Sequence, residues 1–276
     1  MERVTGALTS WRDVWFRSGW RVSLDGTRGL ARLVDPMGTQ VLVCDDPGRC
    51  MAMARDMAPP PAGGRAVVLL HGILHHPGAL SCMAGRLAAC GWSVANMGYP
   101  SIRMPLHEHA AAASAVAGVM ASDGAREISF VGHSLGGLVA RTAMARAGDD
   151  GWEPGRLVLV GSPSRGSGVA RALGRLGLLG LGGDSALSLL PRHADRVPEP
   201  GCQGMMVIAG GTGGMGFNPF MGQDNDGVVG VGETLTRNPP DRSLLVRSMH
   251  TPLARHPTTI LEAIRFLDGT GEDMTP

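Results

Sequence analysis

The sequence has no lysine: all 25 of its basic side chains are arginine, set against 24 acidic ones. A formal net charge of +1 gives no positive footprint for a nucleic acid. The all-arginine usage reads as a mark of a GC-rich coding sequence rather than of function. Cysteine is scarce and odd in number, at positions 44, 50, 82, 90 and 202, and no two form a C-x-x-C pair. That argues against a zinc site and against a disulfide framework. Buried free thiols are expected, and a reducing compartment fits them. Long apolar runs are missing as well. The longest, Ala172 to Leu190, is broken by Arg175, Asp184 and five glycines, and makes a poor membrane span. The first twenty residues scatter their charges and lack an apolar h-region, so no signal peptide is read there. The expected location is cytoplasmic, with no integral membrane segment; peripheral lipid contact stays open.

Glycine and proline are plentiful, 42 and 19 residues, with no collagen-like period. Many tight turns are expected. A chain of 276 residues suits one large domain, or a domain with an appendage. It can hide roughly 70–75% of the surface of its open chain without metals or disulfides.

Residues 1–62 read as an N-terminal extension, packed on or continuous with a catalytic domain over 63–276. GWRVS, GLARLV and TQVLVCD are expected as short strands, with Asp25-Gly26 and Asp35-Pro36 at turns. Before them Trp11, Trp15, Phe16 and Trp20 recur near helical spacing. That predicts a helix packing its aromatic face on the domain, or a lipid-interface anchor. PPPAGG, from Pro59 to Gly64, reads as a linker.

From Arg65 onward the periodicity alternates. AVVLL is a fully apolar run of the kind found centrally in a parallel sheet. LSCMAGRLAAC has helical spacing, WSVANMGY is strand-like and HEHAAAASAVAGVMAS is an alanine-rich helix. EISFVG, RLVLVGS, MMVIAG and SLLVRSM read as further strands, LGGLVARTAMARAG and PTTILEAIRFL as helices. This order predicts an α/β fold, with a mostly parallel central sheet and helices on both faces.

The chemistry begins where EISFV ends. Gly132-His133-Ser134-Leu135-Gly136 is G-x-S-x-G between a strand and a helix. A serine at so sharp a turn projects its hydroxyl away from the sheet, and the glycines remove Cβ atoms that would clash. The following helix aims its free N–H groups at the same spot.

A serine hydroxyl is a poor nucleophile without a base. In this architecture the chain order is Ser, then Asp or Glu, then His. Three histidines follow Ser134: His193, His250 and His256. His250 closes the strand-like SLLVRSM and is expected as the base; His256, before Pro257, reads as a cap or surface residue. Asp226, in the loop after MMVIAG, is expected as the acid, with Asp224 as its rival and a turn carboxylate as the bland role of either. A calcium loop fits the D-x-D poorly, because no terminal glutamate follows at the EF-hand spacing. The residue after the nucleophile, Leu135, supplies one oxyanion N–H, and Ile73, after His71-Gly72, the second. His71 is expected to brace that loop. A metal site at His71, His75 and His76 is disfavoured, because no cysteine or carboxylate accompanies them. His71, Gly72, Gly132, His133 and Gly136 are thus supporting residues.

With these residues in view, the chain from about Val67 to Leu267 resembles the α/β-hydrolase superfamily, and more narrowly its bacterial lipase/esterase-like branch. VVLLHGI, NMGYPS, GHSLGGLVAR, LVLVGSPSRGS, VIAG and NDGVV carry the likeness, with the histidine after SLLVRSM. The resemblance implies the same triad, Ser134, Asp226 and His250, with Ile73 and Leu135 as oxyanion donors. It does not reach residues 1–58. Residues 164–198 stand where relatives carry a lid or cap, and ARALGRLGLLGL is a candidate apolar flap or an ordinary surface helix. The expected activity is hydrolysis of a small-molecule ester or lipid, with no cofactor or metal. Thioester hydrolysis or acyl transfer would use the same machinery. A catalytically silent scaffold on the same fold is the rival of another class.

Overall fold

A computed structural model describes residues 9–61, 64–175, 183–194 and 196–270. The N-terminal part forms its own antiparallel sheet of β1 (Trp11–Arg17), β2 (Trp20–Asp25), β3 (Leu30–Val34) and β4 (Gln40–Cys44), in that order. β2 to β4 fall where strands were expected. β1 corrects an expectation, since Trp11, Trp15 and Phe16 lie on a strand and not on a helix. Ser18 and Gly19 both have positive φ, 49° and 84°, and close a two-residue hairpin on Arg17 and Trp20. Such turns match the twist of paired strands, so the chain folds back instead of coiling. Successive side chains of β1 then point to opposite faces. Trp15 enters the small sheet's own core, and Phe16 enters the core of the larger domain.

A helix absent from the sequence reading, α1 (Pro47–Met57), covers the small sheet. Asp46 caps it by accepting from the Gly48 N–H at 2.8 Å, with Pro47 at its first position. Cys50 and Ala54 on its inner face pack with Trp15, Val22 and Leu33. Of the five cysteines only Cys50 is fully buried, and its Sγ lies 2.9 Å from that of Cys44. Cys82 and Cys90 are exposed, against expectation. Cys82 lies on α2 (Ser81–Ala89) and Cys90 caps its end; the helix turns Met83 and Leu87 inward instead.

The larger sheet holds β5 (Arg65–Leu70), β6 (Ser93–Met97), β7 (Glu127–His133), β8 (Pro154–Val160), β9 (Gly204–Gly211) and β10 (Arg242–Arg247). All pairings are parallel, in the order β10-β9-β8-β7-β5-β6. Parallel strands need crossovers, and helices supply them: α2, α3 (Leu106–Ser122) and α4 (Leu135–Met144), with α9 (Pro257–Leu267) after β10. Strand alternation sorts the core into two layers. Ala66, Val68 and Leu70 pack with α3 and α4, while Val67 and Leu69 pack with α2 and α9. Both faces of β5 are dry, which is why AVVLL carries no polar residue.

β1 lies along α3 and is tied at both ends, Arg12 to Glu108 at 3.5 Å and Arg17 to Asp123 by two hydrogen bonds. Short helices α5 (Gly168–Arg175), α6 (Gly183–Leu187) and α7 (Pro191–Ala194) fall within 164–198, and α8 (His250–Leu253) follows β10. Residues 176–181 of the candidate flap lie outside the described residues. Among the described residues no helix is long and apolar enough to cross a membrane.

Candidate active site

The chain runs out from β5 to β6 at one edge, then reverses to β7 on the other side of β5. Ligands of open α/β sheets bind at such a reversal, beyond the carboxyl ends of the strands. The loop after β5 carries His71, Gly72 and Ile73; the turn after β7 carries Ser134. Both therefore flank the switch point.

Ser134 has φ 55° and ψ −123°, a strained conformation for a side-chain-bearing residue, worth on the order of 1–3 kcal/mol. Close approach explains its glycines. A Cβ on Gly136 would sit 2.2 Å from the carbonyl oxygen of Leu70, and one on Gly132 would sit 2.5 Å from the backbone of Gly136. Gly72 brings the β5 loop against the serine, since a Cβ there would lie 3.1 Å from that of Ser134.

His250 and Asp226 converge on this point. The Nε2 of His250 is 3.0 Å from Ser134 Oγ, and its Nδ1 is 2.6 Å from Asp226 Oδ2. Asp226 is 1% exposed, and its Oδ1 accepts the N–H groups of Val228 and Val229 at 3.0 and 2.7 Å. Both of its oxygens are thus directed. The backbone of His250 is fixed too. Its N–H donates to Asp226 O at 2.9 Å, and its carbonyl accepts from His133 Nε2 at 3.1 Å. Burial lowers the pKa of His133 far below the usual value, helped by the nearby His250 and His75, so it stays neutral at pH 7.

The other sequence candidates take different places. Asp224 accepts from the N–H groups of Thr212, Gly213 and Asn225 and so braces the loop. His256 caps α9, accepting from Thr258 N–H. His193 lies in α7 beside Arg192. His71, His75 and His76 diverge. His71 Nδ1 donates to Gly72 O at 2.9 Å, His76 accepts from Gly78 N–H, and His75 meets His133 edge-on. Burial holds the pKa of His71 at about 3, so its ring is neutral and Nδ1 carries the proton.

Among the described residues, two backbone donors near the serine have no acceptor. Leu135 opens α4, whose first N–H groups have no partner within the helix. The Ile73 N–H donates to no acceptor among the described residues. The sequence reading missed Tyr99, whose ring stacks on His71 with centroids 4.2 Å apart and whose hydroxyl donates to His71 O. It also missed Asp13, which reaches the same region from β1.

Comparison with solved structures bears on the fold. The mature lipase BlEst2 of Bacillus licheniformis is 18% identical, with a TM-score of 0.59 over 76% of this chain and 94% of that one. The chain has the α/β-hydrolase fold. An esterase of Pyrococcus furiosus is 13% identical with a TM-score of 0.52, and there the match takes in 95% of this chain and 92% of that one. A monoacylglycerol lipase of Paleococcus ferrophilus is 16% identical, with a TM-score of 0.52 over 76% and 94%. In sequence, the family described as "Putative serine esterase (DUF676)" matches residues 112–156, from within α3 to within β8. No curated protein matches the chain.

Proposed function

We propose that the protein is a serine hydrolase of carboxylic esters. One observation carries the reading: Asp226, His250 and Ser134 form an unbroken hydrogen-bond line at the switch point of the sheet. The family description and the lipase and esterase neighbours support ester hydrolysis as the reaction class. Ser134 Oγ attacks the ester carbonyl while His250 Nε2 takes its proton. Asp226 keeps the remaining proton on Nδ1 and stabilises the imidazolium that forms. The N–H groups of Ile73 and Leu135 receive the oxyanion, whose stabilisation is the largest single term in most acyl transfers. His250 hands its proton to the leaving alcohol, and water then cleaves the acyl-enzyme by the same route to release the acid.

An apolar acyl or alkyl group suits the rim. Leu74 follows Ile73 at 61% exposure and Met249 precedes His250 at 53%, while Val228, Phe217 and Phe220 lie exposed in the Asp226 loop. Exposed large apolar side chains on the segments that carry the site residues suit a surface for apolar ligands. Residues 63–276 would then be the catalytic domain and 1–62 its extension.

Hydrolysis of a p-nitrophenyl ester series tests the reading. Wild type turns over the esters, and Ser134→Ala and His250→Ala fall to background. A fully active Ser134→Ala refutes the assignment. The chain length at which the rate peaks reports the acyl group preferred.

A further inference from the structure

The Ile73 N–H belongs to the same planar trans peptide as Gly72 C=O, so the two point in opposite directions. Whatever fixes the Gly72 oxygen therefore aims the Ile73 donor. That oxygen accepts from His71 Nδ1 at 2.9 Å and from the His75 N–H at 3.2 Å. His71 is held in turn by Tyr99, through the stacked ring and the phenol on its carbonyl. Tyr99 is 1% exposed and follows Gly98, which is locked to β1 in both directions. The Asp13 N–H donates to Gly98 O at 2.9 Å, and the Gly98 N–H donates to Asp13 Oδ2 at 2.8 Å. The second carboxylate oxygen of Asp13 is satisfied by Ser23 Oγ at 2.6 Å, from β2. Asp13 is 4% exposed and makes no ion pair among the described residues. A buried carboxylate is costly unless hydrogen-bonded, and this one is bonded by one oxygen within its own sheet and by the other across the seam between the two sheets.

We propose that Asp13 of the N-terminal sheet is a positioning residue for the oxyanion loop, acting through Gly98, Tyr99 and His71 on the direction of the Ile73 N–H. The proposal gives residues 1–62 a task in catalysis, and it rests on the serine-esterase reading above. The donor is then set by contacts from both sheets, and removal of the N-terminal sheet would misaim it without touching Ser134 or His250.

Steady-state hydrolysis of one p-nitrophenyl ester by full-length variants tests it, beside inhibition by an alkyl boronic acid, whose tetrahedral serine adduct occupies the same oxyanion site. Tyr99→Phe keeps the stacked ring and removes only the phenol. It and Asp13→Ala should lower kcat by about 10- to 100-fold, below the 10²–10³ that follows loss of a whole donor. KM should stay within about twofold, because the lost interaction is made only in the transition state. Boronic acid inhibition should weaken in parallel with kcat. Asp13→Asn can still accept from Gly98 N–H and should recover most of the rate lost in Asp13→Ala. If Asp13→Ala does not fold, Tyr99→Phe, matched in volume and checked by its melting temperature, decides alone. Unchanged kcat in folded Tyr99→Phe, or a loss carried by KM, overturns the proposal while Ser134-dependent activity stands. Full activity in Ser134→Ala, or a wild type inert toward esters and boronic acids, overturns the esterase reading and this proposal with it.

Discussion

Asp226→Asn separates the charge of the carboxylate from its shape. The Oδ1 of Asp226 accepts two backbone N–H groups, from Val228 and Val229. Those groups can only donate, so the carboxamide oxygen must take that position. The NH₂ is then forced into the place of Oδ2, 2.6 Å from His250 Nδ1. Two donors would face each other. The imidazole escapes by moving its proton to Nε2, the nitrogen that must take the proton of Ser134. A wrong tautomer of this kind costs a serine hydrolase about 10⁴ in kcat. At about 1.36 kcal/mol per decade this is roughly 5.4 kcal/mol of transition-state stabilisation. The fold should hardly notice, since the volume is conserved and both backbone donors keep their acceptor. The assay is p-nitrophenyl ester hydrolysis near pH 7.5, alongside urea unfolding of the same preparation. A loss below tenfold in a folded Asp226→Asn would refute the tautomer reasoning and return Asp224 to contention.

Three more outcomes follow from the packing and the buried histidines. Gly136→Ala places a methyl 2.2 Å from Leu70 O and 2.7 Å from His71 O, both backbone. It should cost about 1–3 kcal/mol in urea unfolding and abolish most ester turnover, and a variant with wild-type values on both counts would contradict the close approach. Phe130→Ala empties a fully buried site on β7 beside Trp152, and its unfolding free energy should drop by about 3–5 kcal/mol. Burial holds His71 near pKa 3 and His109 near 4, and His133 well below 6.5, so all three are neutral when folded. Below about pH 6.5 the unfolded chain takes up protons that the folded one refuses. Stability should therefore fall as pH drops from about 6.5 toward 4, by up to ~1.4 kcal/mol per pH unit for each histidine. Urea midpoints between pH 7.5 and 5 measure this, and a flat profile would contradict the buried neutral rings.

The regular parts of this fold were legible because periodicity alone dictates them. AVVLL and EISFV announce strands buried on both faces, and G-x-S-x-G between strand and helix announces a serine where side chains cannot crowd. Chain order left three histidines after Ser134, and the place of His250 at the end of SLLVRSM singled it out. What failed to show is of two kinds. Trp11, Trp15, Phe16 and Trp20 mimic a helix in spacing, and only Ser18-Gly19 between them signals the hairpin that makes them two strands. The α1 helix had its marks too, Asp46 as cap and Pro47 at its first position, which the sequence reading did not use. Asp13 and Tyr99 are the other kind. Nothing local distinguishes either, because their partners lie 85 and 28 residues away. The first link exists only after the two sheets have met, the second only after β5 and β6 have paired.

The most direct test of the account is reaction of the wild-type protein with a fluorophosphonate, with the adduct located by peptide mass spectrometry. The account predicts a single adduct, on Ser134, and a labelling rate that collapses in His250→Ala. An adduct on another serine, or equal labelling with and without the His250 imidazole, would contradict it.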